Sequence, residues 1–559
     1  MANFCTLNPL AKFSGLTLSK GNLTVRQGVD GRSRTCLSTM PMPSSGKFYM
    51  EFKCDVRGSG TNNGGIQWGL TLPTSLWWDT GVSQGINKTG VSINGNDGNS
   101  YYLGSVDVTG YIPKTEENAI VTGDMMMLAY DADTGKVWLG KNGVWGNNGG
   151  IGNPATGVNP LRTLPTSETW IPAVSMGTDS GASQITANFG QRDFLYTPPS
   201  GFVALNTENL PEPTISNAVG EKPSDYFNTV LWTGNGTSQN VTGVGFEPDF
   251  VWVKERSSTS AHALHDIVRG ITKRLQTNGD NAEVIPSTGG ITAVNSDGFS
   301  VGADGAYNQN SQTYVAWCWK AGGTPVSNTN GSITSSVSAN TTAGFSIVGY
   351  TGNDTAGATI GHGLSSAPDM MIVKKRSANP SAENWTVYHT SLGATKGTYL
   401  NLTATPYTLD IYWNDTAPTS SVFSIGQWDG INTSGEPYIA YCWHSVPGFS
   451  KFGSYTGNGS TDGPFVYTGF KPAFIMVKHT DGAHNWQILD NARDVDNPVT
   501  THIHPNLTNA EANAGSAGWY DSLSNGFKVR ATYNEMNISG SNYIYMAFAE
   551  DPFKYGNSR

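Results

Sequence analysis

The chain has 559 residues, a net charge of −10 and 14% charged residues, compared with roughly 25% in a typical globular protein. We expect no nucleic-acid partner, because phosphate binding needs a basic surface, and no apolar run is long enough for a membrane helix. Glycine, tryptophan and tyrosine are abundant, with 68, 16 and 23 residues, which predicts an all-β chain with many turns. The first residues lack the basic and apolar segments of a signal peptide, so we expect synthesis in a cytoplasm without standard export.

Residues 1–205 contain apolar runs that are bounded by turn residues. The first clear runs are "GKFYMEFKCDV" (46–56) and "GDMMMLAYDADTGKVWLGKNG" (123–143), and the second of these is a predicted hairpin. They are followed by "WIPAVSMG" (170–177) and "ITANFGQRDFLYTPPSGF" (185–202). Short apolar or alternating runs between turns predict β-strands.

The order of these strands resembles the SPRY family over about residues 40–205. The residues that match the family pattern are Gly46, Tyr49, Glu51, Gly123, Asp124, Asp131, Gly135, Trp138, Asn142, Gly143, Pro172, Asn188, Phe189, Gly190, Pro199, Gly201 and Phe202. The resemblance implies a bent two-sheet β-sandwich, which we assign to 1–205, that binds partners through its loops and has no catalytic residues. The loops at 73–90 and 147–163 match no ligand-binding set known to us, so no ligand is carried over.

Two segments predict connections between domains. Residues 206–225 contain three prolines and an acidic bias, which predicts an extended linker. Residues 324–343 are rich in Ser, Thr, Asn and Gly, which predicts a second linker or a long surface loop.

One pattern occurs three times in the rest of the chain, as "WTGNGT" (232–237), "YTGNDTAG" (350–357) and "YTGNGSTDG" (455–463). Each copy continues through an apolar run that ends on a lysine and closes on an aromatic strand that begins with a tyrosine. The lysines and tyrosines are Lys254, Lys374, Lys478, Tyr314, Tyr438 and Tyr543. A spacing of about 100 residues is that of a domain and not of a solenoid turn. We therefore predict β-sandwich-like repeats at 226–323, 344–447 and 448–559.

The turn that opens each repeat keeps its aromatic residue and T-G-N, whereas the following residues vary. We predict that the kept part is structural and that Gly457 adopts a backbone conformation that other residues resist. Any recognition should then lie in the variable residues, such as 460–463, and in the other loops.

Comparison of the repeats argues against catalytic or ligand-binding roles at several positions. Cys318 and Cys442 correspond to an alanine in the third copy, so buried thiols are favoured over catalytic ones. The five cysteines are odd in number and form no C-x-x-C pair, so neither a disulfide framework nor a zinc site is indicated. The recurring lysines could bind an anion, but the favoured role is shielding of a sheet edge.

Three residues of the first repeat, His262, His265 and Asp266, resemble a metal cluster. The corresponding residues are Trp385, Tyr388 and His389 in copy two and Trp486, Leu489 and Asp490 in copy three. Because apolar residues occupy the same positions, packing is the favoured explanation over a zinc site.

A weak metal candidate remains in "THIHP", where His502 and His504 would share one face of a strand. Three chains meeting on an axis would complete such a site, as in the H-x-H iron sites of trimeric phage long tail fibres, which this pair resembles. The alternative is an exposed loop pair. Apart from this candidate, we predict no metal and no cofactor.

A SPRY-like region followed by aromatic-T-G-N repeats that close in "YVAWCWKAGG" (314–323) resembles virion proteins of tailed bacteriophages, especially from marine hosts. The resemblance covers 226–559 and implies a role in the virion and not a reaction. We expect a peripheral tail fibre or spike that attaches to a host-surface glycan or receptor. The alternative is a capsid decoration or tail-associated protein that binds other virion proteins.

Tryptophan residues in predicted loops are the candidate binding residues, because flat aromatic faces suit sugar rings. They are Trp77, Trp78, Trp413, Trp428 and Trp519. A polysaccharide depolymerase is less expected, because sugar hydrolysis needs a pair of carboxylates and no such pair recurs. We expect a homo-oligomer; trimers are common in fibres, although no heptad repeat supports one.

Overall fold

The computed structural model describes residues 3–28, 30–58, 65–73, 86, 89–113, 119–166, 168–178 and 181–555. It divides the chain into two compact units, Met1–Glu212 and Pro213–Arg559. Strands dominate the regular structure of the described residues, which confirms the predicted all-β fold. The helical segments are short: α1 (Gly305–Asn308), α2 (Asp410–Trp413), α3 (Asp429–Asn432) and 3₁₀ turns at Pro154–Thr156, Asn217–Val219, Pro223–Asp225 and Gly515–Ala517.

The described residues of the first unit form two large sheets. One is formed by β1 (Leu7–Lys12), β4 (Asp30–Ser38), β6 (Gln67–Thr71), β7 (Gly90–Asn94), β8 (Ser100–Tyr102), β9 (Ser105–Val108) and β14 (Ile171–Thr178). Its strand order is β1-β4-β14-β6-β7-β8-β9. The other is formed by β2 (Leu16–Ser19), β3 (Thr24–Gln27), β5 (Lys47–Val56), β10 (Met125–Asp131), β11 (Lys136–Lys141), β12 (Val144–Trp145) and β15 (Ser183–Asn188). Its order is β12-β11-β10-β5-β15-β3-β2, with β13 (Arg162–Thr163) beside β11 and β16 (Val203–Ala204) beside β5.

These two sheets face each other as a β-sandwich. The indole of Trp68 on β6 donates a hydrogen bond to the Met127 carbonyl on β10 (3.1 Å), and both residues are buried. Because a buried indole N–H needs an acceptor, this bond links the two sheets across the core.

The second unit contains the three predicted repeats. The strands of the first are β17 (Phe227–Thr233), β18 (Gln239–Thr242), β19 (Phe250–Glu255), β20 (Ala263–Asp266), β21 (Ile291–Asn295), β22 (Gly298–Val301) and β23 (Thr313–Trp319). Those of the second are β24 (Val326–Asn328), β25 (Ser335–Asn340), β26 (Phe345–Thr351), β27 (Ala358–Gly361), β28 (Met370–Lys375), β29 (Thr386–His389), β30 (Lys396–Tyr399), β31 (Tyr407–Thr408), β32 (Val422–Ile425) and β33 (Pro437–Trp443). Those of the third are β34 (Ser450–Thr456), β35 (Phe465–Tyr467), β36 (Phe470–His479), β37 (Gln487–Asp490), β38 (Thr501–His502), β39 (Ala512–Asn513), β40 (Tyr520–Leu523), β41 (Gly526–Val529) and β42 (Asn542–Pro552).

Each repeat has a main sheet with the same antiparallel order. The sheet runs β17-β23-β19-β20 in the first repeat, β26-β33-β28-β29 in the second and β34-β42-β36-β37 in the third. In every case the closing aromatic strand lies at the centre, between the T-G-N strand and the apolar strand that ends on lysine. A smaller sheet covers one face: β18-β22-β21, β27-β32 and β35-β41-β40 respectively.

Alternation along the closing strand divides its side chains between two cores. On β23, Ala316 and Cys318 face the small sheet of their own repeat, whereas Val315, Trp317 and Trp319 belong to a core that residues of all three repeats share. Since successive side chains of a strand point to opposite faces, one strand serves both cores. The shared core therefore lies between the three main sheets.

Segment 324–343 contains two strands and is therefore neither a linker nor a loop, whereas the division between the two units lies within the predicted linker 206–225. In 324–343, β24 and β25 extend the main sheet of the second repeat next to β26. In 206–225 the division between units falls after Glu212, and Ile215 is buried in the shared core of the second unit. The composition of these segments reflects their exposed turns, whereas period-2 patterns such as Ser335–Asn340 carry the strands.

Candidate functional site

The aromatic residue of each T-G-N motif stacks on the tyrosine that opens the closing strand. The ring centroids are 5.2 Å apart for Trp232 and Tyr314, 5.1 Å for Tyr350 and Tyr438, and 5.0 Å for Tyr455 and Tyr543. Each tyrosine hydroxyl also fixes the loop that precedes its own strand. The hydroxyl of Tyr543, for example, accepts the Ile538 N–H (2.7 Å) and donates to the Asn534 carbonyl (2.9 Å). These recurring aromatics are therefore structural.

A buried asparagine holds each turn in place. Asn537 accepts the Asn458 N–H on its Oδ1 (2.7 Å), and its amide donates to the carbonyls of Ser460 (2.7 Å) and Ala531 (2.8 Å). Equivalent bonds to the T-G-N asparagine are made by Asn308 and Asn432. Our sequence reasoning missed these residues, although each stands six positions before the closing tyrosine.

The T-G-N glycine is required for close packing and not for its backbone angle. A Cβ on Gly457 would lie 2.3 Å from the Ile538 carbonyl oxygen, and the left-handed residue of this turn is Gly459, with φ 69°. The predicted backbone conformation of Gly457 is therefore wrong, and close packing explains why a glycine occupies this position. Two backbones approach so closely here that only a hydrogen fits between them.

The residues that follow each anchored turn are exposed. They are 235–238, 353–357 and 459–462. In the third repeat the predicted variable stretch 460–463 is exposed at residues 460–462, and Gly463 is buried. Asp462 forms an ion pair with Lys528 (2.7 Å). The exposed side chains are amides, hydroxyls and single carboxylates, which can form hydrogen bonds with a ligand.

The recurring lysines are buried in the second unit, so the prediction that they shield a sheet edge is wrong. Lys374 donates to the carbonyls of Asp280 (3.0 Å) and Lys375 (2.8 Å). Lys478 donates to the carbonyls of Thr403 (2.9 Å) and His484 (2.7 Å). Asp280 and Thr403 belong to the preceding repeat in each case. These ammonium groups therefore join neighbouring repeats, and burial lowers the pKa of each of the three lysines to about 8.

One position in each repeat donates a hydrogen bond to a neighbouring repeat. Trp385 donates its indole N–H to the Gln276 carbonyl (2.8 Å), which joins repeats two and one. Trp486 donates to the Tyr399 carbonyl (2.9 Å), which joins repeats three and two.

His262 takes the place of these tryptophans at the remaining junction. Its Nδ1 accepts the indole N–H of Trp252 (2.9 Å), which leaves the hydrogen on Nε2. That Nε2 donates to the His504 carbonyl (3.0 Å) and joins repeats one and three. His265 contacts the Ile271 carbonyl and the Tyr307 hydroxyl, both at 2.7 Å. The favoured explanation, packing instead of metal ligation, fits these partners.

A second position in each repeat contacts the closing strand of another repeat. Asp266 accepts the Tyr441 hydroxyl (2.8 Å), and Asp490 accepts the Trp317 indole N–H (3.0 Å).

At the junction of repeats two and three the same position is a histidine. His389 donates from Nε2 to the Tyr545 carbonyl (3.2 Å), because its Nδ1 accepts the Ser391 N–H. Two residue types, aspartate and histidine, therefore occupy one structural position.

Buried arginines neutralise the two aspartates. Arg269 lies 2.5 Å from Asp266, and Arg493 lies 2.7 Å from Asp490; all four side chains are fully buried.

Glutamates extend these pairs across the junctions. Glu283 binds Arg269 of its own repeat and Arg376 of the second repeat. Glu511 binds Arg493 of its own repeat and Arg256 of the first repeat. A buried charge must be paired to be tolerated, so these carboxylates serve the junctions.

Three of the five candidate tryptophans lie in the described residues. Trp413 and Trp519 are only 1% and 4% exposed, so the prediction that they are loop aromatics available for binding is wrong. Their indoles donate to the Lys396 carbonyl (3.1 Å) and to His502 Nδ1 (3.1 Å). Trp428 is half-buried, and Trp77 and Trp78 lie outside the described residues.

His502 and His504 are half-buried and make structural contacts, so they are not an exposed loop pair. His502 accepts the Trp519 indole, and His504 Nδ1 contacts the Trp486 carbonyl (3.0 Å). Burial lowers the pKa of His502 to about 4. No cluster of three or more metal-ligating side chains occurs in the described part of the chain.

All five cysteines are buried and free. Burial raises the pKa of the Cys5 thiol to about 11 and that of Cys36 to about 12. A protonated thiol is a poor nucleophile, so these cysteines pack as small apolar residues.

The motif residues of the first unit also have structural partners. Glu51 is buried and accepts the N–H groups of Leu195 (2.9 Å) and Tyr196 (2.8 Å) together with the Tyr49 hydroxyl (2.9 Å). Asp124 accepts the side-chain amide of Asn142 (2.7 Å). The motif therefore fixes loops onto the sandwich.

The fold is that of an all-β chain in which a β-sandwich is followed by three related repeats. Residues 222–552 match the family described as "Domain of unknown function (DUF7483)". This match spans more than half of the sequence, and the chain belongs to that family.

Solved structures that are similar to part of the chain include SPRY domains. The SPRY domain of human HERC1 has 15% identity and a TM-score of 0.24, and the match covers 34% of this chain and 99% of that chain. The PSpry domain of TRIM65 has 12% identity and a TM-score of 0.23, covering 33% and 90%. Stonustoxin has 16% identity and a TM-score of 0.23, covering 33% and 27%.

No curated protein matches the sequence. Within the described residues, none of the helices has the length and hydropathy that a membrane span requires.

Proposed function

We propose that the protein is a non-catalytic structural and binding component of a bacteriophage virion, in a tail fibre or spike that contacts the host surface. The observation that carries this proposal is the use of the recurring polar residues. The lysine, the asparagine and the two junction positions of each repeat bind other parts of the chain, while the residues after each T-G-N turn are exposed and variable. A framework of this kind supports variable loops, which is the usual division between scaffold and recognition surface.

The exposed loops have the chemistry of a glycan-binding surface. They offer hydroxyl and amide groups at 235–238 and 353–357, and the half-buried Trp428 can supply an aromatic face. A host polysaccharide or a glycosylated receptor is the proposed ligand.

The decisive experiment uses purified full-length protein and the host of the virus that encodes it. We expect the protein to bind host cells and to reduce infection when it is added in excess. A protein that neither binds cells nor competes with infection would contradict the attachment role, and release of sugar from host polysaccharide would contradict the non-catalytic assignment.

A second candidate function is binding to other virion proteins, as in a capsid decoration or tail-associated protein. Large apolar side chains on the first unit favour this candidate: Val144, Ile151 and Leu195 are 60%, 65% and 65% exposed. Exposed apolar residues are typical of surfaces that contact proteins when they are grouped. Immunolabelling of intact particles with antibodies to the purified protein separates a tail position from a capsid position.

A further inference from the structure

The junctions of the second unit repeat in a cyclic order. The position of Asp266 in repeat one meets the closing strand of repeat two, and its equivalent in repeat two, His389, meets that of repeat three. The equivalent in repeat three, Asp490, meets the closing strand of repeat one. Head-to-tail contacts give a ring when the rotation closes and a filament when it does not. Three repeats therefore close a ring within one chain.

The tryptophan position joins the same pairs of repeats independently, in the opposite direction around the ring. Repeat two donates to repeat one, repeat three donates to repeat two, and repeat one donates to repeat three through His262. Two separate sets of hydrogen bonds thus give the same arrangement.

Aromatic side chains from all three repeats fill the middle of this ring. Trp319 of repeat one lies 6.3 Å from Trp443 of repeat two and 5.6 Å from Phe548 of repeat three, measured between ring centroids. Phe250 lies 4.4 Å from Tyr441. These residues are at most 2% exposed, so the centre is a packed core to which no repeat contributes alone.

We propose that the C-terminal unit is a covalently linked trimer and that the full chain is therefore a monomer in solution. Each repeat uses both of its junction faces within the chain, so none of these faces is left for a second copy. This differs from the homo-oligomer that we expected from the sequence.

The mass of the full-length protein in solution tests the monomeric state. Native mass spectrometry and light scattering across a range of concentrations should give 59.6 kDa. A stable species of three times that mass would overturn the covalent trimer.

Ring closure is tested by double-mutant cycles on two matched ion pairs. Arg256–Glu511 joins repeats one and three, and Arg376–Glu283 joins repeats two and one. We expect the melting-temperature changes of Arg256→Met and Glu511→Gln to be non-additive, as for the control pair Arg376→Met and Glu283→Gln, because contacting residues couple. Additive changes for the first pair with coupling in the control pair would show an open ring and overturn the proposal.

Discussion

At the scale of single residues, the glycine and the asparagine of each turn act as a pair. Gly457 lets the turn approach the backbone at Ile538, and Asn537 then satisfies the polar groups that this approach removes from water. An unsatisfied buried donor or acceptor costs about 1–3 kcal/mol. Neither residue would be useful without the other.

The substitution Gly457→Ala tests whether this close approach is required. The added Cβ would lie 2.3 Å from a backbone oxygen, so the turn must move, and we expect a loss of about 1–3 kcal/mol in the free energy of unfolding. The matched control is Gly305→Ala at the start of α1, where the nearest atom is a flexible side-chain oxygen at 3.6 Å. Denaturant unfolding of both variants measures the difference, and equal stabilities would show that the close approach is unimportant.

At the scale of elements, each of the three apolar strands with a recurring lysine places one buried ammonium group in the second unit. Burial lowers the pKa of Lys254, Lys374 and Lys478 to about 8 in the folded chain, against roughly 10.4 in an unfolded one. Between these values the unfolded chain binds more protons than the folded chain. The free energy of unfolding therefore increases as pH rises through this range.

We expect each lysine to contribute an increase of about 1 kcal/mol per pH unit between pH 8 and pH 10. The buried thiols oppose this increase, because burial raises their pKa from about 8.5 in an unfolded chain to about 11 for Cys5 and about 12 for Cys36. The test is therefore a comparison of two proteins by urea unfolding at several pH values: Lys478→Met should have a slope that is about 1 kcal/mol per pH unit lower than that of the unaltered protein. An unchanged slope in Lys478→Met would contradict the burial of this charge.

Strand-borne histidines give the same direction of pH dependence on the acid side. Burial lowers the pKa of His389 and His502 to about 4 and that of His265 to about 3, against about 6.5 in an unfolded chain. Between pH 6.5 and pH 5 the unfolded chain again binds more protons, so stability should fall as pH falls, by about 1 kcal/mol per pH unit for each histidine. His389→Gln keeps a donor but does not titrate, and its thermal unfolding should depend less on pH over this interval than that of the unaltered protein.

The strands themselves could be predicted from the sequence, but the junctions between repeats could not. Period-2 runs and turn residues indicated the closing strands and the T-G-N turns directly. The junction residues differ in type between repeats, for instance His262 against Trp385 and Asp266 against His389, so comparison of the copies concealed their common role. Trp413 was misjudged because its neighbours are turn-like, whereas its burial comes from residues distant in sequence.

At the scale of the whole molecule, the shared core couples three domains that would otherwise be independent. Phe250, Met370 and Phe474 occupy the same position in the three main sheets and all belong to this core. A repeat that unfolded alone would expose the aromatic faces of the other two. The C-terminal unit should therefore unfold in one step.

Calorimetry of the full chain tests this expectation. We expect one transition for Pro213–Arg559 and a separate contribution from Met1–Glu212. Trp319→Ala removes a large buried side chain, which typically costs about 3–5 kcal/mol, and should lower protection from hydrogen exchange on β33 and β42 as well as on β23. The matched control Trp68→Ala should affect only the first unit. Loss of protection confined to the first repeat after Trp319→Ala would show that the repeats unfold independently.

The unequal junctions have a consequence for how such chains assemble in a crowded cell. Repeats that were identical could pair with any copy, including copies on neighbouring chains still being made, and would form tangled aggregates. Here one boundary uses a tyrosine hydroxyl and an aspartate, another an indole and an aspartate, and the last an imidazole and a carbonyl. Because the junction residues differ between repeats, each repeat fits one specific neighbour, and every chain completes its ring with its own segments.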